Sequence, residues 1–360
     1  ASNLPAAVFN NSFSVNSQDG NPNGVVFNTD GTKMFVIGGG GDRLYEYALT
    51  TAFDVSSASY TTNFNVNPQE GDPQSVAFNA DGTKFFVVGT VNDTLYEYTC
   101  SVGFDLSSTV AYSGNSFSIA AQEPIPYGMT FSTDGTRFYI LGNTYSTLFE
   151  YTCSVGFDLS STVAYSGNSF SVVPQEGNPT GVVFNTDGSQ FYVVGKNSSA
   201  VFMYTCSTAF DLSSTVAYSG SSINTSAQEG NLSGVSITPD GSMIFVIGLT
   251  NDSVISYTIP YLLALGTGSF AAGDVGKTIE ANSGVFVLTA TTGTYSQTTA
   301  PTSYAQVASG SWSMFGTVYN TTDGDLELSS TAGAGYDLSV AAYTGYKYDQ
   351  TASEGVVFNN

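Results

Sequence analysis

Histidine is absent from this 360-residue chain. That removes the commonest general base, the commonest metal ligand and the base of the usual catalytic triad. Bases are scarce: seven Lys and Arg stand against 29 Asp and Glu, for a net charge of −22. Nucleic acid and anionic membrane both demand clustered cations, so neither is expected as a partner. The surplus of acids favours solubility in salt, where screening weakens self-repulsion. Helical periodicity is missing throughout. The longest aliphatic patch, residues 261–265, is far too short to span a bilayer, and no membrane insertion is expected. The chain opens on Ala1 with no visible signal peptide, which reads as a processed start.

What is present is a repeat. Asp-Gly occurs at Asp30-Gly31, Asp81-Gly82, Asp134-Gly135, Asp187-Gly188 and Asp240-Gly241, at spacings of 51, 53, 53 and 53 residues. A polar pair keeps step as Gln18-Asp19, Gln69-Glu70, Gln122-Glu123, Gln175-Glu176 and Gln228-Glu229. Phe-Asp-Leu or Phe-Asp-Val begins at Phe53, Phe104, Phe157 and Phe210, and residues 98–118 are identical to residues 151–171. The apolar runs between these markers are short and rich in β-branched and aromatic residues, as strands require. A period near 50 built from four short strands is the signature of a propeller blade.

The pattern predicts strand a over residues 24–28 and its equivalents, innermost. It predicts strand b over 34–38, buried on both faces, strand c over 44–49, and strand d, the outer edge, after Phe-Asp-Leu, as at 110–119. The Asp-Gly pairs predict two-residue hairpin turns between a and b. Counting strands gives a closed ring. The first d-type segment, residues 8–15, precedes every a strand, and the last blade ends at strand c, residues 253–259. The N-terminal segment therefore completes the fifth blade and removes an exposed edge. The expected fold is all-β: a five-bladed propeller over residues 1–260, a small all-β module over 261–335, and over 336–360 the start of a further propeller repeat.

The runs GVVFNTDGTKMFVIG and GVVFNTDGSQFYVVG resemble YVTN-type propeller repeats. The longer pattern, with FDLSSTVAYSG and the Gln-Glu turn, resembles repeats of phage virion proteins, notably tail-fibre-like proteins of aquatic phages. The stretches GDVGKTIEANSGVFVLTAT and SGSWSMFGTVYNTTDG are similar to a small module of phage tail proteins. The propeller-repeat resemblance covers residues 5–259 and is specific for fold rather than activity. It implies a virion-surface, extracellular location, other virion proteins as partners and a homo-oligomer in the particle.

Cys100, Cys153 and Cys206 share one slot, held by Leu49 and Ile259 in the other blades, which reads as apolar packing without disulfide or metal. Glu46, Glu97 and Glu150 give way to Met203 and Ser256, so they form no shared ring site. The Asp of Phe-Asp-Leu (Asp54, Asp105, Asp158, Asp211) caps a local turn with the following Ser. The ring of Asp19, Glu70, Glu123, Glu176 and Glu229 lies on the d-to-a connections of one face. It reads either as a rim contacting a cation or glycan, or as turns that satisfy their own backbone. Pro124-Ile125-Pro126-Tyr127 breaks the symmetry of that face, and a contact with partner or sugar is expected to concentrate at Glu123, Pro124, Ile125 and Tyr127. A glycosidase needs two carboxylates at a unique place, and none of these acids is singled out. No cofactor and no catalytic residue is expected. The reading is a non-enzymatic phage virion surface protein, structural and receptor-contacting. Its target would be a host surface glycan or protein. The alternative is a lectin-like secreted or cell-surface propeller binding glycans multivalently.

Overall fold

The computed structural model describes residues 4–259 and, beyond them, only the backbone of seven strands between Tyr261 and Ser329. The segment expected to begin a further repeat, residues 336–360, lies outside the described residues.

The first strand, β1 (Val8–Ser14), stands apart in sequence from its sheet. Blade 1 is β2 (Pro22–Phe27), β3 (Lys33–Gly38), β4 (Arg43–Leu49) and β5 (Ala58–Asn65). Blade 2 is β6 (Pro73–Phe78), β7 (Lys84–Gly89), β8 (Thr94–Cys100) and β9 (Val110–Ser118). Blade 3 is β10 (Pro126–Phe131), β11 (Arg137–Gly142), β12 (Thr147–Cys153) and β13 (Val163–Ser171). Blade 4 is β14 (Pro179–Phe184), β15 (Gln190–Gly195), β16 (Ala200–Cys206) and β17 (Val216–Asn224). Blade 5 is β18 (Leu232–Ile237), β19 (Met243–Gly248) and β20 (Ser253–Thr258), and β1 pairs antiparallel beside β20 as its fourth strand. The ring is closed by the N-terminal strand, as the strand count requires. The first strand of each blade packs against the first strand of the next.

The second strand of each blade is buried on both faces. Phe35, Val36 and Ile37 are fully covered, as are Phe85, Phe86, Val87 and Val88. Each such side chain contributes about 1.5–3 kcal/mol relative to an exposed one, so these strands dominate the core. Aromatic rings carry the seams between blades. Phe27 meets Phe245 at 4.3 Å between centroids, Phe78 meets Phe35 at 4.6 Å, Phe131 meets Phe86 at 4.7 Å and Phe184 meets Tyr139 at 4.6 Å. Cys100, Cys153 and Cys206 are free and buried, packed in the same clusters as Leu106, Leu159 and Leu212. Burial pushes each thiol up to about 11.

The a–b connections differ from the two-residue turn expected. In blade 1 the loop is five residues long, 28–32, and its turn closes with the Gly31 N–H donating to the Asn28 carbonyl at 3.1 Å. A type I′ turn needs positive φ at both central residues, but here only the glycine has it, with φ +73° at Gly31. Asp30 instead accepts the Thr32 N–H at 2.9 Å and its hydroxyl at 2.6 Å. The glycine is also covered by the Phe-Asp-Val aromatic of its own blade: a Cβ on Gly31 would lie 2.4 Å from the Phe53 ring. The Phe-Asp-Leu aspartates cap as expected, Asp105 accepting the Ser107 N–H at 2.9 Å and hydroxyl at 2.6 Å.

The second unit is an antiparallel sheet. Its strands are β21 (Tyr261–Gly268), β22 (Thr278–Ala281), β23 (Gly284–Val287), β24 (Gly293–Gln297), β25 (Tyr304–Gln306), β26 (Trp312–Val318) and β27 (Leu326–Ser329). They pair in the order β21-β26-β25-β24-β23-β22-β27.

Candidate functional site

The five Gln-Glu or Gln-Asp turns do the same work in every blade. Asp19, Glu70, Glu123, Glu176 and Glu229 are all buried. Each carboxylate accepts the N–H two residues on: Asn21 at 2.8 Å, Asp72 at 3.0 Å, Ile125 at 3.0 Å, Asn178 at 2.8 Å and Asn231 at 2.8 Å. Each also reaches across to the b–c loop of the same blade. Glu229, for example, accepts the N–H groups of Thr250 and Asn251 at 3.1 Å each. The glutamine takes the hydroxyl of the buried c-strand tyrosine, from Tyr47 to Gln18 through Tyr257 to Gln228, at 3.2–3.4 Å. Every b strand ends in glycine because the carboxylate occupies the space a side chain would need. A Cβ on Gly142 would sit 2.2 Å from the Glu123 Cγ. In blade 1 the acid is one methylene shorter, and the b–c loop opposite it is Gly39-Gly40-Gly41, whose Gly40 and Gly41 N–H groups meet Asp19 at 3.1 and 3.0 Å. Burial raises Glu70 above its usual range against the pull of these N–H groups. Of the two readings of this ring, the turn that satisfies its own backbone describes the geometry. These carboxylates do not form an exposed rim.

The c-strand glutamates latch one blade to the next. Glu46 pairs with Lys33 at 2.8 Å, Glu97 with Lys84 at 3.2 Å and Glu150 with Arg137 at 3.3 Å. Their second oxygens accept the N–H of Leu106, Leu159 and Leu212 in the following blade at 2.7–2.8 Å. The cations donate to the carbonyls of Phe104, Phe157 and Phe210, residues held at φ +55°. The fourth blade carries Gln190 and Met203 in these places, and the blade after it has no Phe-Asp-Leu loop to hold because its d strand is β1. In blade 5, Ser256 donates to Asn11, whose amide in turn donates to Asp54 of blade 1 at 2.8 Å. The drift from Glu to Met and Ser thus follows the connectivity.

The sector expected to break symmetry does so. Ile125 is 40% exposed and Pro124 half-buried, while Tyr127 sits half-buried on β10, the innermost strand of blade 3. Asn23, Gln74, Thr180 and Ser233 fill the same place in the other blades. The Lys196 Nζ lies 5.1 Å above the Tyr127 ring, within cation–π range. Burial first, and then the Asp72 charge, push the Tyr127 hydroxyl upward. Connections of this face in blades 2–4 also expose Val91, Tyr145 and Val173, Tyr145 to 57%. Below, the innermost strands narrow to an axial cavity of about 70 Å³, lined by Gly24, Ser75, Met129, Gly181 and Gly234 among others. That volume is room for a few waters.

The opposite face carries a feature that sequence reasoning missed. A basin of about 450 Å³ opens among the a–b loops and takes lining residues from all five blades. Its walls include Phe27, Phe53, Phe78, Phe104, Phe131 and Phe157. The signal was present, since strand a ends in Phe in four of five repeats, but an apolar residue ending a strand reads as core. Among the described residues no group of three or more His, Cys, Asp or Glu could hold a metal ion.

Fold and site together define a five-bladed β-propeller whose repeated acids build the ring. Structures similar to it include a candidate 6-phosphogluconolactonase from Bacteroides uniformis (TM-score 0.40, 12% identity, 93% of this chain and 82% of that one). A functionally unknown protein from Desulfotomaculum acetoxidans gives 0.39, 10%, 94% and 88%. A candidate 6-phosphogluconolactonase from Bacteroides fragilis gives 0.40, 10%, 79% and 80%. No protein-family model matches the chain, and no curated protein matches it significantly. Blade number and closure come from this chain's own strand pairing.

Proposed function

We propose that the propeller is a non-catalytic contact module of a phage virion surface protein, a tail- or head-fibre component that meets a host surface glycan or protein through the Gln-Glu face. One observation carries the reading: the five Gln-Glu and Gln-Asp carboxylates of that face are taken up by backbone N–H groups, while blade 3 adds Ile125, Tyr127 and Tyr145 to the apolar surface that Val91 and Val173 expose there. A catalytic site needs one blade to gather an acid, base or nucleophile. Blade 3 gathers aromatic and aliphatic surface instead, which suits recognition. Other virion proteins and further copies of the chain are the partners this reading implies. A lectin with five equal sites would have to use groups other than the five buried carboxylates. The test has two arms. Immunogold labelling with antibody to this chain should decorate the fibres of phage particles, and Tyr127→Ala should weaken attachment of the full chain to host cells while Thr180→Ala, the same place in blade 4, leaves it unchanged. Absence of label from particles, or equal effects of the two substitutions, overturns the proposal.

A further inference from the structure

The aromatic basin on the a–b face and the axial cavity share part of their lining: Val26, Ala77, Thr130 and Ser236 reach both. These residues hold one place in the repeat, which blade 4 fills with Val183. Three blades thus present an apolar side chain there, and blades 3 and 5 present a hydroxyl. Thr130 is 8% exposed and Ser236 7%, and neither hydroxyl meets a hydrogen-bond partner among the described residues. The other three hydroxyls lining the axial cavity are paired inside the ring. Ser75 accepts the Met129 N–H at 3.2 Å, Thr180 donates to the Leu232 carbonyl at 2.8 Å and Ser233 donates to the Pro22 carbonyl at 2.6 Å. Buried hydroxyls are ordinarily hydrogen-bonded, so two left over at the floor of an open basin point to a partner from outside the fold.

Above this floor the walls are half-buried phenylalanines, among them Phe27, Phe78 and Phe131. No Asp, Glu, Lys or Arg lines the basin. The loop-tip aspartates turn to their own loops, as Asp81 does in accepting from Thr83 at 3.0 and 2.6 Å. Lys33 and Lys84 cap the Phe104 and Phe157 carbonyls while paired with Glu46 and Glu97. A charged ligand would therefore shed water here without meeting a counter-charge. We propose that the basin binds a small neutral amphiphile of the alkylphenol class, its ring against the phenylalanines and its hydroxyl turned to Thr130 and Ser236. A phenolic hydroxyl both donates and accepts, as do the two side chains it would meet. Aromatic rings on the walls favour an aromatic body over a plain alkyl chain. The volume of about 450 Å³ falls inside the ordinary range for small-ligand pockets, about 300–1,000 Å³.

The probes are 4-ethylphenol and 4-ethyltoluene, which carries a methyl group in place of the hydroxyl. Each is titrated into the full chain and followed by ligand-detected nuclear magnetic resonance. The phenol should bind about three- to tenfold tighter than the hydrocarbon, the net worth of one hydrogen bond, and its affinity should not change with salt. Thr130→Val with Ser236→Ala gives blades 3 and 5 residues that blades 1 and 2 already carry at this place, Val26 and Ala77, so the fold should be kept. In that variant the phenol should fall to the affinity of the hydrocarbon, while unchanged hydrocarbon binding shows the basin intact. 4-Ethylbenzylammonium and 4-ethylbenzoate, which put a charge on the same ring, should bind about tenfold or more weaker than the phenol. Equal affinity for phenol and hydrocarbon in the parent overturns the proposal, as does a phenol preference that survives the double variant. So does a cation or anion that binds as tightly as the phenol. Absence of binding at millimolar phenol overturns it too, and leaves the two hydroxyls to water.

Discussion

Replacing Glu97 by Met copies into blade 2 the residue that blade 4 uses naturally. The Glu97 side chain is 2% exposed and accepts from Lys84 at 3.2 Å, from the Leu159 N–H at 2.8 Å and from the Asn115 amide at 3.2 Å. Breaking a buried pair by removing one partner costs about 3–5 kcal/mol. Lys84 is 27% exposed and can turn toward water, so the low end, about 3 kcal/mol, is expected. Adding Lys84→Gln completes the blade 4 arrangement and removes the stranded charge. It should not restore full stability, because the Leu159 N–H and the Phe157 carbonyl still belong to a loop that blade 3 has and blade 5 lacks. A buried backbone group without a partner retains a cost of about 1–3 kcal/mol. The assay is guanidinium unfolding of the full chain followed by near-ultraviolet circular dichroism, which reports the packed tyrosines. Glu97→Met within about 0.5 kcal/mol of the parent, or a double variant as stable as the parent, would refute the latch.

Two further outcomes follow from the same geometry. Alkylation of the native protein should leave Cys100, Cys153 and Cys206 unmodified until it is unfolded, as mass spectrometry would report; rapid labelling of all three would contradict their shared packing slot. The hydrogen-bonded aspartates Asp30, Asp54, Asp81, Asp105, Asp134, Asp158 and Asp211 sit below the ordinary value of 3.8, hydroxyl donors first among the causes. Their stabilisation is complete above that value and is lost as pH falls through the lower folded values. Glu70, Asp93 and Asp252, raised chiefly by burial, act oppositely, costing stability as pH rises above their ordinary values of 4.5 and 3.8, but they are fewer. In salt high enough to screen the net charge, the thermal midpoint should therefore fall below about pH 4, and a midpoint that holds or rises there would sink the assignment.

The ring and its closure were legible because each marker recurs at a nearly fixed spacing, so strands could be counted without knowing where any one begins. The cysteine slot was legible for the same reason, Leu49 and Ile259 naming its character. The a–b loop is not legible from Asp-Gly alone, because the pair serves both the two-residue hairpin and the longer turn ending in a left-handed glycine; the choice depends on where Phe27 ends its strand. The burial of Glu70 and its equivalents is not decided by sequence, because a polar pair in a turn looks solvated. The clue was the glycine ending every b strand, Gly38 through Gly248, about twenty residues downstream, meaningful only once the carboxylate is seen filling the missing side chain's place. The basin was missed because its phenylalanines pack the seams between blades on one side and face the opening on the other.

The five-bladed ring depends on β1 closing it beside β20. Ser14 and Ser253 are register partners across that pair. Replacing both with cysteine changes little volume, and opposed strand residues lie about 4.5–5.5 Å apart, within disulfide reach. Mild oxidation of the full chain carrying Ser14→Cys and Ser253→Cys should form an intramolecular bond in nearly every molecule. Because the bond closes almost the whole propeller, its unfolding midpoint should rise on oxidation and fall back on reduction. Failure to form the bond, or its formation only between molecules, would mean that the N-terminal strand does not complete the fifth blade.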